Sequence, residues 1–404
     1  MKKMLLAATA AAVVGGVAVA GSPVQAQEAE GFQLQIGGFY NALAVVRDND
    51  GPPRLNPAGQ VKEQQIRAYD FQQRARYTIQ GSQTLDNGMT IGFHTQYEAM
   101  GGGTGGMSNN RAYVYADGGF GRVNFGTMYS APYLMHVSPP TAGWGIDDTG
   151  HSQGMAATNN MRGIATPTYY INRSMNFTYM SPRFAGFQAG FTFAPDQRNR
   201  ENMNNRFIGN LSAQNATATA SLGSDLQNLF GLSANYQQSF DQFSVGLSAG
   251  FETGTWNQGA KNLIQGVGLN DKRAWTYGLG ANVGFGGLDA GVAYNWNNMG
   301  MSGIKTHQVT AGLTYTVDRF TFGPSFGAAW MKGSNQNNPV LNPVIGGIGQ
   351  NNNPRTYVYD FGARYAFAPG VNLVGSVQYG DFKSGNSNYD GNAVAGLFGV
   401  QMNF

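Results

Sequence analysis

The chain has 404 residues, no cysteine, 12% charged side chains, 59 glycines, a formal charge of +3 and a mean hydropathy of -0.29. The missing cysteines exclude disulfides, thiol catalysis and thiolate metal sites, and so small a charge with no basic block excludes a nucleic-acid footprint. Past residue 26 no apolar stretch nears the roughly 20 residues of a membrane-crossing helix, while 25 Phe and 20 Tyr are too many for a disordered chain.

The first element is an address. Lys2 and Lys3 precede an apolar run from Met4 to about Gly21, and Ser22-Pro23-Val24-Gln25-Ala26 places small residues where a signal peptidase cuts. Residues 1–26 thus read as a cleaved signal peptide and 27–404 as one domain. Loss of the leader removes two lysines and no acid, so the remainder is close to neutral.

From Phe32 onward side chains alternate, the period of a strand whose two faces meet different surroundings. Such segments centre on 32–46, 68–85, 88–99, 111–117, 121–130, 172–181, 186–194, 228–240, 242–256, 272–285, 287–297, 305–317, 319–332, 355–367, 371–382 and 392–404. The count is sixteen, within about two either way. In 89–99, Met89, Ile91, Phe93, Tyr97 and Ala99 share one face, and Thr90, Gly92, His94, Gln96 and Glu98 the other. The connections alternate between tight turns, such as Asp86-Asn87-Gly88 and Gly286-Gly287, and long loops, the longest being 131–171.

A soluble sandwich or propeller would gather its aromatic faces into a core and would not sort its connections by length. Here one face is Gly, Ser, Thr, Asn and Gln, as expected of a wall around water. The other ends in aromatics (Tyr97, Trp256, Trp275, Tyr294, Trp296, Trp330, Tyr357, Tyr379) suited to bilayer interfaces. The fold predicted is an all-β, transmembrane antiparallel β-barrel. Closure is compulsory, because an open edge in hydrocarbon would strand backbone groups at several kcal/mol apiece.

The leader, the tight/long alternation and the ending Val394-Ala-Gly-Leu-Phe-Gly-Val-Gln-Met-Asn-Phe404 together resemble a bacterial outer-membrane porin over the whole mature sequence. Size and low charge look most like the 16-stranded general porins of alphaproteobacteria. The resemblance implies a homotrimer in the bacterial outer membrane, among its lipid and lipopolysaccharide, with the third long loop folded into the lumen. It further implies that Phe404 is a signal read by the outer-membrane assembly machinery, and that small hydrophilic solutes cross by passive diffusion.

The third long connection carries Asp147 and Asp148 as its only acids. They read as one side of a pore constriction, as a solvated turn, or as Ca²⁺ ligands beside loop carbonyls. Parity from Tyr69, Phe71, Tyr77 and Ile79 outward turns Asp70, Arg74 and Arg76 inward. An arginine facing lipid at mid-membrane would cost about 2 to 4 kcal/mol, which favours the lumen. Arg122, Asp360 and Arg364 are weaker candidates for the same wall. Acids on the loop opposite arginines on the wall would set a field across the water, with little preference between cations and anions.

Other signals are weaker. Gly101 to Gly106 matches G-x-G-x-x-G but lies between strands, without the helix a dinucleotide site needs. His94, His136, His151 and His307 show no metal-ligand spacing, no cofactor is expected, and nothing singles out a catalytic Ser–His pair. The leading function is a general diffusion pore, not an enzyme. A solute-selective channel and a closed structural or adhesive barrel are the alternatives.

Overall fold

The computed structural model describes residues 31–49, 54–55, 61–62, 68–99, 108–145, 169–197, 226–266, 270–332, 355–383 and 391–404. The leader expected at 1–26 lies outside these. The chain opens with β1 (Gln33–Asn49) and a small separate ribbon of β2 (Arg54–Leu55) and β3 (Val61–Lys62). Then come β4 (Tyr69–Thr84), β5 (Thr90–Glu98), β6 (Ser108–Gly118), β7 (Gly121–Met128), α1 (Ala131–Leu134), β8 (Ser174–Met180) and β9 (Phe187–Asp196). The second half holds β10 (Leu226–Ser239), β11 (Phe243–Trp256), α2 (Gln258–Gly266), β12 (Ala274–Phe285), β13 (Leu288–Asn297) and β14 (Lys305–Val317). It ends with β15 (Phe320–Lys332), β16 (Arg355–Ala368), β17 (Val371–Lys383) and β18 (Gly391–Asn403).

Leaving out the ribbon, the strands form one closed antiparallel barrel of 16, each beside its neighbour in sequence. β1 closes it, pairing with β4 on one edge and β18 on the other. The seam is finished by reciprocal bonds, Gly38 N–H to Phe404 O at 2.8 Å and Phe404 N–H to Gly38 O at 3.2 Å. No barrel strand keeps an unpaired edge, as the hydrocarbon argument requires.

The burial is inside-out relative to a soluble protein. Along β4, Tyr69, Phe71, Tyr77 and Ile79 are exposed outward, Phe71 by 83%, whereas inward-facing Thr78 is buried. Gln96, Thr192, Asn235, Thr276, Asn295 and Gln378 are buried polar residues of the inner wall. Such a distribution is stable only with apolar solvent outside and water inside.

Among the described residues, two helices interrupt stretches that alternation leaves as loops. α1 follows Ser130, whose hydroxyl accepts from Tyr133 N–H at 3.3 Å, and carries Pro132 in its first turn, where the missing N–H is harmless. α2 follows Asn257, whose side-chain oxygen accepts from Ala260 N–H at 2.8 Å. It buries Ala260 and Ile264 against Leu229, Trp256 and Met301. Trp256 corrects the expected outward aromatic girdle: as the last residue of β11 it has inward parity, is 2% exposed, and donates its indole N–H to Gly300 O at 2.6 Å.

Candidate pore lining

The inner wall carries two different surfaces. Over β9 to β17 it holds the first part of the third long connection. Ala131 N–H donates to Thr192 Oγ1 at 2.7 Å on β9, and Asn235 of β10 donates to Met135 O at 3.1 Å. Val137 N–H reaches Ser248 Oγ of β11 at 2.8 Å, and Asn282 of β12 donates to Ser138 O at 2.7 Å. Trp144 N–H ends on Ser376 Oγ of β17 at 2.8 Å, and Gln378 donates to Gly145 O at 3.1 Å.

The segment therefore advances close to one strand per residue. From β10 to β17 the wall spans roughly 34 Å at about 4.8 Å per strand, and the near-extended chain from Met135 to Trp144 reaches about 31 Å, the shortfall fitting its smaller radius. The wall leaves room for it with glycine: a Cβ on Gly280, Gly312 or Gly362 would collide with Val137 O, Pro140 O or Gly143 N. Trp144 ends the run, 1% exposed, in an inward apolar patch of Val45, Val358, Val374, Ala395 and Leu397, its indole N–H on Val374 O at 3.2 Å.

Near the start of this segment His136 is buried, its ring 6.2 Å from that of Tyr169, and neither ring nitrogen has a protein partner among the described residues. Burial penalises the charged imidazole and holds it to about 4, below its ordinary 6.5. Burial pushes the hydroxyls of Tyr169 and Tyr170 up, reinforced by the Glu252 carboxylate.

The other side, over β1 and β4 to β7, carries arginine. Arg74 and Arg76 face inward on β4 and share the Glu98 carboxylate of β5: Arg74 through Nε, Arg76 through Nη2 at 2.8 Å and Nε at 2.9 Å. Both guanidinium groups lie over the Phe39 ring, at 5.7 and 5.3 Å. Arg111 donates to Gln96 Oε1 at 3.0 Å and covers the Tyr129 ring at 5.1 Å, and Tyr129 stacks on Tyr133 of α1 at 4.0 Å. Arg173 bonds Asn110, which donates to the same Gln96 oxygen at 2.7 Å. Arg47 approaches Asp70 at 3.9 Å, and Arg122 lies 3.5 Å from Asp117 beside a tight turn and 4.0 Å over the Tyr115 ring. Six arginines thus stand with three carboxylates.

Arg74 and Arg76 share the inward face that parity assigns them. Asp147 and Asp148, the expected opposing acids, lie outside the described residues. Asp70 and Arg122 face inward but belong to local ion pairs away from the Arg74–Glu98 cluster. Asp360 is corrected: it is 3% exposed, accepts from Ser325 at 3.2 Å and Gln378 at 2.9 Å, and so braces the strand–loop contact where a water-facing charge was expected. Arg364 points inward with no partner for its Nε among the described residues. Sequence reasoning missed Glu98, Arg111, Arg173 and Trp144. Glu98 could have been found from register, since it stands directly opposite Arg76. Among the described residues no cluster of three His, Cys, Asp or Glu could hold a metal ion.

A family model described as Gram-negative porin matches residues 7–385. The outer membrane porin protein 32 of Delftia acidovorans is 26% identical over 263 residues, 61% of this chain and 71% of that protein. The anion-selective porin from Comamonas acidovorans has the same fold at a TM-score of 0.53, with 14% identity over 93% of this chain and 100% of that one. OmpT of Vibrio cholerae, in its trimer form, gives a TM-score of 0.57 at 10% identity over 92% and 99%.

Proposed function

The chain belongs to the Gram-negative porin family, and from that membership we propose how this member treats its solutes. It is a multi-pass protein of the outer membrane, a channel for the passive diffusion of small hydrophilic solutes. The observation that carries the finer reading is the division of the inner wall into a loop-covered side and an arginine side. Arg74, Arg76 and Arg111, with Glu98, form one bank of the constriction, and Asp147 and Asp148 on the third connection supply the opposing charge. Between such banks the field runs across the water: polar solutes turn their dipoles and pass, whereas apolar ones must displace ordered water. On the arginine bank Arg74, Arg76 and Arg111 outnumber the Glu98 carboxylate, so that side of the constriction favours anions, the property for which the Comamonas porin is described.

The pore works without bond-making or a cofactor, so the protein is a channel and not an enzyme. Residues 1–26 direct export and are removed, and Phe404 is read by the assembly machinery. Three copies associate, as in the trimer form of the Vibrio relative. Liposome swelling with sugars of graded size should give rates that fall smoothly with size; one preferred sugar would make the pore solute-selective, and no swelling would make the barrel a closed scaffold. In planar bilayers under a salt gradient, Arg74→Glu with Arg76→Glu should turn the preference toward cations, and an unmoved reversal potential would remove both arginines from the filter.

A further inference from the structure

The bare side of the inner wall carries rings as well as charges. Val114 of β6 faces outward, 55% exposed, so Arg111, Tyr113 and Tyr115 share the inward face, about 7 Å apart along the strand. Directly opposite them on β5 stand Gln96, His94 and Gly92. Tyr113 stacks on His94 with ring centroids 4.9 Å apart and planes 21° from parallel. A Cβ on Gly92 would collide with the hydroxyl end of Tyr115, so that ring lies down across β5, and the Arg122 guanidinium covers it at 4.0 Å. Both tyrosines are half-buried. The covered side differs: among the described residues of β9 to β13 the inward ring is Trp256, at the very end of its strand.

A guanidinium stands at each end of this pair of rings, and the two are not alike. Arg122 is met by Asp117, as Arg74 and Arg76 are by Glu98. Arg111 engages Gln96 through Nε, and no described carboxylate pairs with it. Its terminal nitrogens thus form a fork that fits a carboxylate bidentately, and a half-buried guanidinium without an acid is a ready partner for one. A small inorganic anion would use the guanidinium alone, and a neutral sugar the rings alone. A solute in which a flat ring carries a carboxylate uses both.

We propose that the inward face of β5 to β7, from Arg111 down to Tyr115, binds aromatic carboxylates in transit. The carboxylate docks on the Arg111 fork while the ring lies against Tyr113 and Tyr115. Arg122, stacked on Tyr115, offers the next cation, near the rung of Asp117 about 20 Å further down β6, so the charge is handed on while the ring keeps contact. Binding that is weak and repeated along the wall lets such a solute enter and leave. The inference rests on the anion-preferring reading of the arginine side and names the class of anion.

The test is open-channel block in planar bilayers, with benzoate, cyclohexanecarboxylate, acetate and benzyl alcohol added in turn to potassium chloride. Benzoate should bind the wild type about tenfold more tightly than acetate and about fivefold more tightly than cyclohexanecarboxylate, a saturated ring of the same charge. Tyr113→Leu with Tyr115→Leu should bring benzoate down to the level of cyclohexanecarboxylate, whereas Arg111→Gln should weaken all three carboxylates alike, about fivefold. Phe125→Leu, an outward ring of β7, should change nothing. Equal binding of benzoate and cyclohexanecarboxylate by the wild type, or a preference that survives the double leucine variant, would overturn the site. Block by benzyl alcohol as strong as by benzoate would overturn the role given to Arg111. Should the double variant fail to insert, Tyr113→Phe with Tyr115→Phe, expected to keep the preference, and Tyr113→Leu alone, expected to halve it, carry the test. Conductance and reversal potential are read on the same wild-type channels. An open, anion-preferring channel that treats the flat and the saturated ring alike refutes the aromatic track alone, whereas a channel without anion preference refutes the reading beneath it.

Discussion

Along β9 to β17 the inner wall is dressed in Gly, Ser, Thr and Asn that hold the third connection, whereas along β1 and β4 to β7 it carries arginine in shared ion pairs. The same alternation of side chains produced both surfaces. What separates them is the partner: on one side the inward polar groups are consumed by loop backbone, and on the other they are left to charges and solutes. An inward polar residue of a barrel is therefore not by itself a pore residue. Ser248, Asn282 and Ser376 are fasteners, and the glycines opposite the loop are clearance.

The largest effect is expected where the covered side ends. Trp144 fills an apolar patch otherwise formed by wall residues of β1, β16, β17 and β18, so Trp144→Ala should cost about 3 to 5 kcal/mol of local stability. With its end released, the segment from Ala131 onward would exchange between wall-bound and lumenal positions. Single-channel recordings should then show added current steps and noise. A variant as quiet as the wild type would mean that the backbone bonds to Ser376 and Gln378 suffice and that the indole is not the anchor.

A smaller effect concerns the other end of the same segment. His136 is held to about 4, against 6.5 when free, so the unfolded chain gains a proton that the native loop refuses. Its contribution is complete above pH 6.5, declines as pH falls from there to about 4, and is absent below, an overall change of roughly 3 kcal/mol at 1.36 per pKa unit. The group facing the imidazole is the Tyr169 ring, which stays neutral throughout this window. Current noise should rise on acidification from pH 7 to 4 in the wild type and much less in His136→Gln. Equal pH dependence in both would assign the effect to another group.

The barrel, its strand number and the facing of Arg74 and Arg76 were legible because each follows from a period of two residues and from the cost of charge in lipid. The interior was less legible for physical reasons. Asp360 has the parity of a water-facing residue, and only the loop laid over it, from 216 positions earlier in the case of Trp144, buries it. Trp256 looked like girdle because it ends a strand, yet the short helix after it folds over and turns that rung into a small core. Trp144 sits in a Gly- and Pro-rich loop with no period at all. Glu98 was visible as a wet-face residue, but its tie to Arg76 needed the β4–β5 register.

The smallest predicted effect tests whether height along the arginine side matters as much as side. Arg122 faces inward like Arg111, but it lies beside the tight turn after β6, with Asp117 at 3.5 Å. Their side chains are 32% and 46% exposed, so the pair is screened and contributes under about 1 kcal/mol. The charge of Arg122 is also met by Asn124 and by the Tyr115 ring, both toward the tight-turn end of the barrel. Arg111 stands beside α1, where the third connection begins its course along the wall. Arg122→Gln should accordingly leave thermal stability within about 1 kcal/mol and barely move the reversal potential, while Arg111→Gln shifts it toward cations. Equal shifts from the two variants would mean that the arginine side acts as one long electrostatic track, and that the contrast between covered and bare wall, not the height of the loop, sets which ions pass.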